Sequence, residues 1–109
     1  MIPNKALTTL GLAHRAGRTA VGWDRISDAA RGGLIELLLL AEDCSASSRK
    51  AYLDKCRYYQ IEQVDFADKQ TLANAVGRRE IAAVAVCDKG FAESIRKGMK
   101  GKINGGDAL

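Results

Sequence analysis

The residues that staple small proteins or equip small enzymes are scarce in this chain of 109 residues. It holds three cysteines, one histidine, one proline and six aromatic residues. Cys44, Cys56 and Cys87 are odd in number and widely spaced, which excludes a disulfide framework and a CxxC zinc pair and leaves reduced thiols as the expectation. A single histidine, His14, leaves only one possible imidazole base for a Ser/His/Asp or Cys/His triad, and it falls on or beside the apolar face of the first predicted helix, as a structural residue would. No GxGxxG, Walker A or nucleophile-elbow pattern occurs; Gly22, Gly32-Gly33 and Gly105-Gly106 read as isolated punctuation. Long hydrophobic runs are also missing. The longest, Leu37 to Ala41, is bounded by Glu36 and Glu42 and falls far short of the roughly 18 residues of a membrane span. Behind Met-Ile-Pro-Asn-Lys5 there is no apolar stretch of the kind a secretory signal carries, so the expected location is the cytoplasm. No internal repeat and no linker rich in Pro, Gly or Ser divides the chain, so a single domain is expected.

What is present is the composition of a globular domain. Hydrophobic residues make up 47% and charged residues 28%, a mixture that supports a core and excludes a disordered or collagen-like chain. The net charge of +4 is uneven: residues 1–32 carry +3, residues 33–87 carry −1 and residues 88–109 carry +2. Such a bias is compatible with RNA and, taken alone, equally with no particular partner.

Periodicity along the chain alternates between helix and strand. Ala6, Leu7, Leu10 and Ala13 recur at helical spacing, with Pro3 suited to a first helical position and Gly17 to a stop. A short extended stretch from Arg18 to Val21 ends at Gly22, and a second helix carries Trp23, Ile26, Ala29 and Ala30 on its apolar face. On that spacing Trp23 is expected in the core, with base stacking as its alternative role. Leu34 to Ala41 reads as a strand covered on both faces. A serine at 45, 47 or 48 can cap a third helix with Tyr52, Leu53, Cys56 and Tyr59 inward and Arg49, Lys50, Lys55 and Arg57 outward. A strand at 61–66, a helix capped by Asp68 and ended by Gly77, a strand over 82–87 and a last helix bearing Phe91, Ala92, Ile95 and Met99 complete the order. The expected fold class is α/β, a three-layer α/β/α sandwich with a mixed sheet of about four strands. Residues 1–99 form the domain in this reading, and residues 100–109 a basic, Gly-containing, poorly ordered tail.

Two constellations can carry chemistry. Glu42, Asp43 and Cys44 follow one apolar strand, and Cys87 and Asp88 follow another; parallel strands would bring both sets into one crevice at their carboxyl ends, as a metal or phosphoacceptor site. The same acidic positions also suit ordinary helix entry. The second constellation sets Arg15, Arg18 and Arg25 around a short strand whose end, Gly22, opens into a helix, where backbone N–H groups and the helix dipole favour phosphate oxygens. Gly77-Arg78-Arg79 adds a basic loop before the last strand. Arg18, Gly22, Arg25, Arg78 and Arg79 are expected on one continuous surface.

Four blocks, Leu10-Gly-Leu-Ala-His-Arg-Ala-Gly-Arg18, Leu37 to Asp43, Leu53-Asp-Lys-Cys56 and Val84-Ala-Val-Cys-Asp-Lys-Gly-Phe91, resemble the ribosomal protein L-seven-Ae family over about residues 3–97. More closely, the chain resembles the family's bacterial YlxQ-like branch of small ribosomal-protein-like RNA binders. The resemblance implies a three-layer α/β/α domain that binds kink-turn RNA, an internal loop with a sharp bend and tandem sheared G·A pairs. In archaeal and eukaryotic members the helix after the first strand opens with Gly-x-Asn-Glu-x-Thr-Lys, which places Gly22 on the Gly, Asp24 on Asn, Arg25 on Glu, Ser27 on Thr and Asp28 on Lys. Only the glycine is retained, so the backbone-docking feature persists while the base-reading side chains are rewritten. The resemblance also brings Glu42 and Asp43, and Arg78, Arg79, Ile81 and Ala82, to the RNA face.

The sequence therefore leads to a cytoplasmic, monomeric, ribosomal-protein-like RNA binder without catalysis or cofactor. Its candidate contacts are Arg18, Gly22, Trp23, Asp24, Arg25, Glu42, Asp43, Arg78, Arg79 and Ile81, and its partner is a structured RNA, ribosomal or other. Two further readings stay open: a small enzyme or switch in the Asp43/Cys44/Cys87/Asp88 crevice, and a protein-interaction module that keeps the fold and has lost RNA.

Overall fold

The computed structural model describes the backbone of residues 4–107 and the side chains of residues 5–99. Its elements run α1 (Asn4–Arg15), β1 (Thr19–Val21), α2 (Trp23–Arg31), β2 (Leu37–Leu40), α3 (Ala46–Tyr59), β3 (Gln63–Asp65), α4 (Lys69–Ala75), β4 (Ala83–Val86) and α5 (Lys89–Asp107). The helix and strand order is the one expected, with shorter strands. Leu34, assigned to a strand by its apolar character, is exposed and precedes β2. Pro3 lies outside the described residues. α5 continues past residue 99 to Asp107, so the backbone of most of the expected tail is helical; its side chains, and residues 108–109, lie outside the described residues.

The four strands form one mixed sheet in the order β1-β4-β2-β3, with β1/β4 and β4/β2 antiparallel and β2/β3 parallel. β2 and β4 are central and buried at every position. Because side chains alternate across a strand, each divides its residues between two layers. Leu37, Leu39, Val84 and Val86 pack with Leu10 of α1, Leu72 of α4 and Ile95 of α5. Leu38, Leu40, Ala83 and Ala85 pack with Ile26 of α2 and with Tyr52 and Cys56 of α3. The result is the expected α/β/α sandwich, with three helices on one face and two on the other.

The antiparallel pairing of β2 with β4 corrects one expectation. Leu37 stands opposite Val86 and Leu40 opposite Ala83, so the chain leaves β2 and β4 at opposite ends of the sheet. Asp43 and Cys44 thus emerge at one end and Cys87 and Asp88 at the other, and no shared crevice exists. Full burial on both faces suggested parallel strands; here helical layers cover an antiparallel pair equally well.

Candidate nucleic-acid interface

The end of the sheet where β1 and β2 finish is also where β4 begins. Val21 pairs with Val84, and the Ala41 N–H donates to the Ala82 carbonyl at 2.8 Å. Three segments therefore meet there: the start of α2 at Gly22, Trp23 and Asp24; the loop after β2 at Glu42 and Asp43; and the approach to β4 through Arg78, Arg79, Ile81 and Ala82. Ile81 and Ala82 are half-buried, packed on the two core layers, and hold their loop in place. Arg78 and Arg79 are exposed in it.

Helix starts differ in how their free amides are used. Ser45 Oγ accepts from the Ser48 N–H at the start of α3, and Asp88 Oδ2 accepts from the Phe91 N–H at 2.9 Å in the first turn of α5. At α4 the expected cap, Asp68, makes no side-chain hydrogen bond; Asp43 reaches across from the β2 loop, its Oδ1 accepting from the Lys69 N–H at 2.8 Å. α2 alone among these four has no side-chain cap, since its N-cap residue is Gly22. The Ile26 N–H makes the first intrahelical bond, to the Gly22 carbonyl at 2.9 Å, which leaves the amides of the first turn without a side-chain acceptor.

The loop after β2 is braced by Arg49. Its guanidinium donates to Asp65 Oδ1 at 2.9 Å, to the Ala41 carbonyl at 3.1 Å and to the Glu42 carbonyl at 3.4 Å, and the bond to Asp65 holds it more firmly protonated than usual. An arginine expected to point outward is thus a positioning residue for Glu42. Lys69 Nζ similarly ties Glu80 of the β4 approach to α4 at 3.2 Å.

The predicted arginines divide. Arg18 lies at the far end of β1, its carbonyl accepting from the Cys87 N–H, so it does not share one continuous end surface with Arg78 and Arg79. Instead Arg18 and Arg25 line a hollow of about 570 Å³ along the outer edge of β1, with Thr19, Asp28, Leu34 and Cys87. Among the described residues, Arg31, Arg49, Arg57 and Arg96 pair with carboxylates, whereas Arg15, Arg18, Arg25, Arg78 and Arg79 have no such partner. Asp28, the carboxylate standing at the motif's lysine position, pairs with Arg31. Ser27, at the motif's threonine position, is buried with no hydrogen-bond partner for its Oγ.

Trp23 overturns its expected place in the core. It is 43% exposed, edge-on to Tyr52 with ring centroids 5.0 Å apart, and Lys55 Nζ lies 4.6 Å from its ring centre. Sequence reasoning passed over this neighbourhood. The signal was the Tyr58-Tyr59 pair, because adjacent helical positions point about 100° apart and both cannot face inward.

Two of the three thiols are held protonated by their surroundings. Burial pushes the Cys56 thiol up to about 11, and burial with nearby Glu36 raises that of Cys87. His14 Nδ1 is 2.8 Å from Thr19 Oγ1, a link between α1 and β1. Among the described residues no group of three His, Cys, Asp or Glu side chains can hold a metal ion, and no helix is long and apolar enough to cross a membrane.

Residues 4–96 match the model of the ribosomal protein L7Ae/L30e/S12e/Gadd45 family. The chain is 35% identical over 86 residues to the RNA-binding protein YlxQ of Bacillus subtilis (strain 168), covering 79% of this chain and 86% of that one. It is 25% identical over 97 residues to RNA-binding protein YlxQ of Enterococcus faecium, covering 89% and 93%. Among solved structures, a protein with unknown function from Bacillus halodurans C superposes with a TM-score of 0.80 at 32% identity, covering 88% of this chain and 97% of that one. A Giardia lamblia 15.5kD RNA binding protein shares the fold alone, with a TM-score of 0.71 at 13% identity over 90% and 84% of the two chains.

Proposed function

The chain belongs to the ribosomal protein L7Ae/L30e/S12e/Gadd45 family, and on that premise we propose that it is a non-catalytic RNA-binding protein that docks a bent, structured RNA of kink-turn type on the end of its sheet. The uncapped α2 start carries this reading. Three neighbouring helices have a side-chain oxygen in their first turn, so the open amides behind Gly22 are the natural acceptor-binding group for RNA phosphate or base oxygens. The relatives named as RNA-binding proteins support the partner class.

Arg78 and Arg79 supply cations without carboxylate partners beside these amides, Arg25 adds one from the neighbouring edge of β1, and Glu42, set by Arg49, supplies an acceptor for guanine edges. A shallow face of this kind suits RNA whose bases are already splayed by a bend, since straight A-form duplex hides them in its deep groove. In this reading the protein works in the cytoplasm as a monomer and needs no cofactor.

Competition between an RNA containing a bent G·A loop and a straight duplex of matched length tests the proposal. Arg25→Ala is expected to reduce the preference for the bent RNA about tenfold, within the scale of a bidentate base contact. Arg78→Ala should weaken both RNAs alike, because phosphate contacts carry little sequence information. If Arg25, Arg78 and Arg79 each displace one counterion, log affinity falls against log salt with a slope of about −2 to −3. Equal affinity for the two RNAs, insensitive to salt, contradicts the proposal.

A further inference from the structure

Three of the six aromatic residues of the chain, Trp23, Tyr58 and Tyr59, gather on the outer side of α2 and α3, running outward from the edge of the RNA face at Trp23, with the buried Tyr52 against Trp23. Trp23 leans edge-on against Tyr52, and Tyr58 against Tyr59 with centroids 4.8 Å apart. Lys55 joins the two pairs, its ammonium 4.6 Å from the Trp23 ring centre and 5.7 Å from that of Tyr59. Tyr58 is 79% exposed and Trp23 43%, so two large aromatic surfaces stay wet. Trp23, Lys55, Tyr58 and Tyr59 line one shallow hollow with Ala51 and Asp54.

We propose that this patch is a stacking platform for unpaired nucleotides of the strand that leaves the docked RNA. Flat rings with cations beside them are what single-stranded nucleic acid binds without regard to sequence: bases stack on the rings and the cations meet the phosphates. The charge on the patch is of the matching sign. Lys50, Lys55 and Arg57 surround it, and Asp54, bridged by Lys50 at 2.9 Å and Arg57 at 3.2 Å, is the one carboxylate lining the hollow. The patch is also continuous with the proposed interface, since Trp23 directly follows Gly22. A base arriving on Trp23 can take the place of the Lys55 ammonium, which then swings to the phosphate that comes with it.

The inference rests on the RNA-binding reading for its geometry, and the experiment separates the two. The bent RNA is titrated with and without a short single-stranded uridine extension on the strand nearest α3, following emission from Trp23, the sole tryptophan. The extension is expected to tighten binding about tenfold, within the range of base stacking, and to quench Trp23 further. Tyr58→Ala, at a position too exposed to support the core, and Lys55→Gln should each abolish that gain while leaving affinity for the extension-free RNA within about twofold. If the extension adds neither affinity nor quenching, the platform is refuted and the sheet-end interface stands. If neither structured RNA binds but oligo-uridine alone quenches Trp23 saturably and in a Tyr58-dependent way, the platform stands and the sheet-end docking falls. If Trp23 emission instead follows protein concentration, with a dimer in sedimentation, the patch belongs to a second copy of the chain and the inference is overturned.

Discussion

Gly22 holds φ 98° and ψ 147°, a backbone conformation that only glycine adopts without strain. A Cβ built there meets nothing within 4 Å, so the whole cost of a side chain is conformational. Gly22→Ala should therefore destabilise the fold by about 1–3 kcal/mol, read as a lower denaturant midpoint at unchanged slope, and weaken RNA binding by turning the α2 amides away. An unchanged midpoint shows that the positive φ is not required. The sequence reveals this glycine because it stands between a strand and a helix. It does not reveal Asp43, whose oxygen caps a helix 26 positions further on, nor Arg49, whose three acceptors come from two other segments. Those contacts depend on the register of β2 with its neighbours, which local pattern cannot convey. Trp23 departs from its expected place in the core for a related reason: helical spacing marks a face, but at the first residue of a helix that face extends beyond the core.

At the scale of elements, α1 and α5 approach so closely that a Cβ on the buried Gly98 would lie 3.3 Å from the backbone nitrogen of Ala6 and 3.4 Å from its Cα. Backbone cannot yield as a flexible side chain can. Gly98→Val is expected to cost about 1–3 kcal/mol as an overpacked contact, a fall in Tm of about 4 °C or more for a domain of this size. A melting temperature equal to that of the parent would mean that α5 does not lie this close to α1. Element types were readable from periodicity, since Leu37 to Leu40 and Ala83 to Val86 are short apolar runs between turn signals. Strand direction was not readable. Both runs are buried on two faces whichever way they point, and the parallel assumption placed Cys44 and Cys87 together when the antiparallel ladder sets them apart.

The whole molecule has two differently used ends. At one, Arg96 of α5 donates to Glu62 at 2.9 Å and to the Glu36 carbonyl at 3.0 Å, Asp88 caps α5, and Arg18 accepts from Cys87 through its backbone. Much of that end is tied up by the protein's own contacts, while the Arg18 side chain there lines a hollow and has no carboxylate partner among the described residues. At the other, the α2 amides, Arg78 and Arg79 lack side-chain partners among the described residues. Net charge of +4 could not distinguish the ends, because it counts paired and unpaired cations alike. If RNA docks on the open end as proposed, backbone amide NMR shifts on adding the bent RNA register it residue by residue. The largest changes are expected at Gly22 to Arg25, Glu42 and Asp43, and Arg78 to Ala82, with Glu36, Asp88 and Arg96 unmoved. Shifts concentrated at Glu36, Asp88 and Arg96, with the α2 start silent, would contradict the account.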